Sequence, residues 1–212
     1  MIASKNFANR RLKVVSAAET AVAKHGLQGV TLDAVAKEAG MSANALLYYY
    51  SGLKDVLNDV QAQAVERFCI RRAGMVAEIA DPREKLKAMI GSGLPAGPED
   101  QLCRLLHELG GFARTDATYA ARHIILFERQ VAIYVGILEA GAAMGYFTLS
   151  SGSDIVARGL VILEDGLGLH LVNIVPAIDQ ATALKILFDY AEVQTRCSLA
   201  PTLRNRSGEL YD

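Results

Sequence analysis

The 212-residue chain has only three cysteines, Cys69, Cys103 and Cys197. They are too few and too scattered for a disulfide framework or a zinc site. Its longest stretches without a charged residue, Ala39–Leu53 and Ala140–Ser153, are 15 and 14 residues long, the second rich in Gly and Ser. A membrane span takes about 20 apolar residues, so none is expected. Met1-Ile2-Ala3-Ser4-Lys5 lacks the apolar core of a secretory signal. An excess of one charge is missing too: 22 Lys and Arg stand against 23 Asp and Glu, a net charge of −1 that argues against a wholly basic nucleic-acid binder. No His-x-x-x-His, Cys-x-x-Cys, Gly-x-Ser-x-Gly or phosphate-binding loop occurs. No catalytic residue, metal ligand or cofactor is therefore assigned. What the chain does have is 51% hydrophobic against 21% charged residues, which excludes disorder. A cytoplasmic, globular protein without a membrane segment is expected.

The near-zero total conceals an asymmetry. Residues 1–54 carry seven bases against three acids, a balance of +4, and the remainder balances at −5. A basic quarter on an acidic body suits a small head facing a polyanion, although chance alone can give such a split.

Apolar periodicity near 3.6 runs almost throughout, and no alternating segment or internal repeat is present. Leu12, Val15, Ala18 and Val22 form one helical stripe that closes at His25-Gly26. Thr31 stands where an N-cap belongs, with Asp33 in the first turn. Gly40 ends that second helix and Ser42 caps a third running to Tyr50. After Ser51-Gly52, Val56, Leu57, Val60, Ala64 and Phe68 mark a long fourth helix. Asp81-Pro82 opens a short helix to about Ile90, and Gly91–Pro98 reads as a flexible connection. Helices over 99–113, 116–144, 154–174 and 179–197 follow, then a flexible tail over 201–212. The predicted fold is all-α, with about nine helices. Its parts are a helix-turn-helix domain over 1–54 and a larger helical domain over 55–200.

Two short helices joined through a glycine form a helix-turn-helix. Thr31–Ala39 would brace the DNA backbone while Ser42–Tyr50 presents its first residues to the major groove. Ser42, Ala43 and Asn44 lie at that helix start, Tyr48 and Tyr49 would flank the groove, and Tyr50 belongs to the core. A plain α-hairpin covered by tyrosines would look the same at this level.

The motif Gly26-x4-Thr31-Leu32-x2-Val35-Ala36-x2-Ala39-Gly40-Met41-Ser42, followed by Leu46-Leu47-Tyr48-Tyr49-Tyr50 and Leu57, resembles the DNA-binding domain of the tetracycline-repressor-like (TetR) regulators. The likeness covers about residues 10–60. It implies DNA contacts from Arg10, Arg11, Thr31, Ser42, Ala43, Asn44, Tyr48, Tyr49 and Lys54. There are departures: Leu47 stands where many members carry tyrosine, and Asn44 where glycine is frequent. The lysine that opens the fourth helix falls on Leu53, with Lys54 next, a displacement of about 100° around the helix.

The same resemblance implies a homodimer and a small-molecule pocket in the C-terminal helices, with effector binding that releases a palindromic DNA operator. Val156, Leu160, Leu163, Leu167, Leu184, Leu187 and Phe188 are the interface candidates, unless their stripes face the subunit's own core. Polar and aromatic residues on apolar helices supply the pocket candidates: His107, Phe112, His123, Phe127, Tyr134, Glu164, Asp165 and His170. A repressor released by an unknown small molecule is the expected function. A helical protein-interaction module, or a DNA binder without an effector, is the alternative.

Overall fold

The computed structural model describes residues 2–199, with side chains for Phe7 and from Asn9 onward. The expected tail over 201–212 lies outside the described residues. Among those residues the fold is all-helical: α1 (Ile2–Gly29), α2 (Leu32–Glu38), α3 (Ala43–Leu47), α4 (Leu53–Ala77), α5 (Pro82–Gly93), α6 (Gln101–Gly110), a 3-10 turn (Gly111–Arg114), α7 (Ala117–Ala143), α8 (Ser153–Val172) and α9 (Gln180–Thr195). No helix among them is long and apolar enough to cross a membrane.

The chain forms two compact units. The first comprises the residues up to Phe68 together with Gln101–Leu126, and the second Cys69–Asp100 with the chain from Phe127 onward. The first unit thus reaches past residue 54 and recruits a later segment. The reason is burial: Leu105 and Leu109 of α6 and Tyr119 of α7 lie in the same apolar core as Val15 of α1, Leu46 of α3 and Val60 of α4. Each fully buried side chain of this kind contributes about 1.5–3 kcal/mol. The second unit has its own core, in which Met89 and Ile90 of α5, Leu138 of α7, Leu160 of α8 and Leu187 of α9 are fully enclosed.

Local signals behave as their chemistry dictates. Gly26 breaks α1 at φ 70°, ψ 163°, a conformation open mainly to glycine. Asp81 caps α5 by accepting from the Arg83 N–H at 2.8 Å, with Pro82 in the first turn. Asp116 and Asp179 cap α7 and α9 in the same manner.

Three expectations are corrected. Leu12 is 52% exposed, because the buried stripe of α1 runs through Val14, Val15, Ala18, Ala21 and Val22. Helix α3 stops at Leu47 rather than Tyr50, since the Tyr49 and Tyr50 N–H groups both turn back onto the Leu46 carbonyl. Gly91, Ser92 and Gly93 are helical, and the chain becomes extended only at Leu94. Burial of Met89, Ile90 and Ser92 on that turn outweighs the helix cost of two glycines, about 1 kcal/mol each.

Candidate nucleic-acid interface

The turn between α2 and α3 is built from its hydrogen bonds. The Thr31 hydroxyl accepts from the Ala34 N–H at 3.2 Å, and Ser42 accepts from Ala45 at 3.2 Å. Each cap satisfies an N–H that the first helical turn leaves without an intrahelical partner. At the end of α2, Gly40 takes φ +65°. Its N–H donates to the Lys37 carbonyl at 3.1 Å, and the Met41 N–H donates to Ala36 at 2.9 Å. These are the paired bonds of a Schellman closure, whose left-handed residue is usually glycine. Met41 then packs against the first core, so the two helices are held at a defined angle.

That angle turns Leu46 inward and its neighbours outward. Ser42, Asn44, Ala45 and Leu47 are exposed, and Tyr48 is 78% exposed. Ala43 and Tyr49 are half-buried against the core. The Tyr49 ring meets Phe7 and Tyr48, each at 5.1 Å between centroids. Ala45 and Leu47 therefore join the outward set, which the sequence reading omitted. The available signal was spacing, since a buried Leu46 forces its immediate neighbours away from the core.

The basic candidates divide. Arg10 is exposed. Arg11 is engaged: its guanidinium donates to Asp59 Oδ2 at 2.7 and 3.0 Å and lies 4.6 Å from the Tyr50 ring centroid. The buried Tyr50 hydroxyl donates to the same carboxylate oxygen at 3.0 Å. Burial, with Asp59 beside it, raises the Tyr50 phenol well above its usual range, so it stays a donor. This triad links α1, the segment after α3, and α4. Asp59 was not a sequence candidate, because nothing local marks its partner. Lys54, the displaced lysine, points its ammonium at Asp116, 2.5 Å away, and this hydrogen bond, followed by the capping N–H groups, lowers the Asp116 carboxyl.

The effector-pocket candidates also separate. His107, Phe112 and His123 belong to the first unit, and Phe127, Tyr134, Glu164, Asp165 and His170 to the second. Phe112 packs on Tyr119 at 5.3 Å within the first core. Burial, then the nearby His123, lowers the His107 imidazole. Tyr134 and Glu164 are buried together on Arg72, whereas Asp165 and His170 are exposed. Among the interface candidates, Val156, Leu160 and Leu187 are wholly enclosed by their own unit and Leu167 nearly so. A partner could not touch the enclosed three. Leu163, Leu184 and Phe188 are half-buried. The outward apolar residues of α8 are Ile155, Ile162 and Leu169, the first two 62% and 61% exposed.

A capped brace helix, a left-handed glycine turn and a short helix with outward polar and aromatic residues define a helix-turn-helix DNA-binding domain. Residues 14–60 match the family model of bacterial regulatory proteins, tetR family. Over that segment the chain is similar to the DNA-binding domain of these regulators. Solved structures share the fold. A TetR transcription regulator from Haloarcula marismortui superposes with a TM-score of 0.79 at 23% identity, over 89% of this chain and 99% of that one. A putative transcriptional regulator from Saccharomonospora viridis, in complex with choline, also gives 0.79, at 21% identity over 87% and 96%. The fatty acid degradation regulator of Bacillus halodurans gives 0.64, at 17% identity over 89% and 97%. No functionally curated protein matches the sequence at a significant level.

Proposed function

We propose that the protein is a ligand-responsive repressor that acts in the cytoplasm as a homodimer on a palindromic operator and leaves it when a small molecule binds. The observation that carries the reading is the outward set Ser42, Asn44 and Tyr48 on a short helix whose Leu46 is fully buried. Short polar side chains at that helix start approach base edges, and Tyr48 donates to phosphate. Arg10 adds charge on the same domain. Thr31 meets the backbone through the start of α2.

Dimerisation is assigned to α8 and α9. Ile155, Ile162 and Leu169 recur every seven residues on the outside of α8, the spacing of a helix seam. Half-buried Leu163, Leu184 and Phe188 would flank it. Two heads must sit about 34 Å apart to enter successive major grooves, which a two-fold pairing supplies. The helical domain from residue 55 to 200 would hold the effector; that such a fold can take a small molecule is supported by the Saccharomonospora viridis regulator, solved in complex with choline. Effector binding shifts the population toward the form that binds DNA poorly, by no more than its differential affinity, typically about 1–3 kcal/mol.

The test is enrichment of duplexes from a random-sequence pool by the purified protein, with its mass measured in solution. A palindromic consensus bound by a dimer is expected. Enrichment without sequence preference, or a monomer at micromolar concentration, would sink the reading. A thermal-shift screen then identifies the effector, which must lower affinity for the enriched duplex.

A further inference from the structure

Helix α4 carries one charged side chain into the core of the second unit, Arg72, and it is wholly enclosed there. Its guanidinium is held from three other helices. Nε donates to the Ser92 hydroxyl at 3.2 Å, and Nη2 to the Met89 carbonyl at 2.9 Å, both on α5. From α7 come the Gln130 carbonyl oxygen, which accepts from Nη1, and the Tyr134 hydroxyl, 3.4 Å from Nη2. From α8 the Glu164 carboxylate accepts at both oxygens, 2.9 Å from Nη1 and 2.8 Å from Nη2. Tyr134 also donates to Glu164. Gly93 lies so close beneath this carboxylate that an added Cβ would overlap it. With both oxygens held, the carboxylate cannot swing aside.

Such a pair is a poor way to gain stability, because apolar replacements of similar volume often do as well or better. Its distinguishing property is geometric: a planar fork of donors satisfies one position and strands a charge at every other. A slip of α4 by one residue is about 1.5 Å along the axis and 100° around it. Apolar side chains repack after such a slip at modest cost, but the guanidinium would lose its partners on all three helices. The same α4 begins at Leu53, directly after the recognition segment, and sets Val56 and Val60 into the first core.

We propose that Arg72 is a positioning residue for operator reading: its buried pairing with Glu164 fixes the register of α4, and the half-site spacing the dimer accepts depends on that register. This rests on the dimeric DNA-binding reading above. The probe is the duplex enriched from the random pool, together with two versions whose half-sites lie one base pair closer or farther apart. Wild-type protein is expected to prefer the enriched spacing by about tenfold or more. The double variant Arg72→Met/Glu164→Leu keeps the volume and removes both charges. It is expected to retain helicity, dimer mass and melting temperature within a few degrees, while its spacing preference falls below about threefold. A folded double variant with wild-type preference overturns the proposal. Should that variant fail to fold, Arg72→Lys carries the test, because it keeps the charge and loses the fork: the same loss is expected, and an unchanged preference overturns it. Failure of the wild type to enrich any duplex would instead overturn the operator reading itself.

Discussion

The Lys54 ammonium lies 2.5 Å from the Asp116 carboxylate, which joins the first turn of α4 to the cap of α7 within one compact unit. Arg122 of α7 reinforces the link by donating to the Asn58 carbonyl. A lysine expected to meet phosphate is thus already paired. Lys54→Ala should leave the salt dependence of DNA binding nearly unchanged. Arg10→Ala should lower the slope of log K against log salt by about 0.9, the value of one phosphate contact. Binding titrations at several salt concentrations check both; a full unit lost in Lys54→Ala would return that lysine to the DNA.

Tyr48 and Tyr50 are two residues apart and have opposite duties. Tyr50→Phe removes a hydrogen bond to the Asp59 carboxylate and should cost about 1.5–3 kcal/mol in urea unfolding. Tyr48→Ala, at an exposed site, should change stability by no more than about 0.5 kcal/mol and weaken binding to all duplexes. Loss of stability in Tyr48→Ala would remove it from the interface.

Two glycines are needed for different reasons. At Gly40 a Cβ would meet nothing within 4 Å, so the penalty of Gly40→Ala is backbone strain at φ +65°, about 1–2 kcal/mol. At Gly93 the backbone is helical and the obstacle is the immobile Glu164 carboxylate. Gly93→Ala should cost about 2 kcal/mol through overpacking, and a smaller loss in an Arg72→Lys background, where the carboxylate is freer to move, would indicate that the pair is what blocks it. Chemical denaturation measures each.

The His107 imidazole, lowered by burial and then by His123, is held neutral in the fold while the unfolded chain titrates near its ordinary value, about 6.5. Because the folded pKa is depressed, its contribution is present above about 6.5 and is lost as pH falls through the folded value. Stability should therefore decline below about pH 6.5, and His107→Gln should flatten that part of the profile. An identical profile in the variant would assign the decline to another group.

Neighbouring apolar residues on α8 predict opposite outcomes. Ile162→Glu, on the outside of the helix, should leave the subunit folded and convert dimer to monomer in sedimentation. Leu160→Ala, wholly enclosed, should cost about 2–5 kcal/mol by leaving a cavity. A dimeric Ile162→Glu protein would place the interface elsewhere.

What could be read locally was legible from residues alone. Thr31, Ser42 and Asp81 cap their helices because a side-chain oxygen needs only an N–H two or three residues on. Gly40 closes α2 because a left-handed residue belongs there. The helix-turn-helix follows from a few such rules within about twenty residues. On α8, by contrast, both Leu160 and Ile162 are apolar, and periodicity alone does not say which stripe meets the subunit's own core. Lys54 and Asp116 become partners, Gly91–Gly93 stay helical, and Arg72 lies enclosed among four helices only once distant segments pack. Those outcomes depend on contacts between residues far apart in the chain, whose free energies exceed the local propensities that a short window of sequence contains. The caps and turns were determined by the sequence itself; the partners of its charges and the inward face of each helix were decided by tertiary packing.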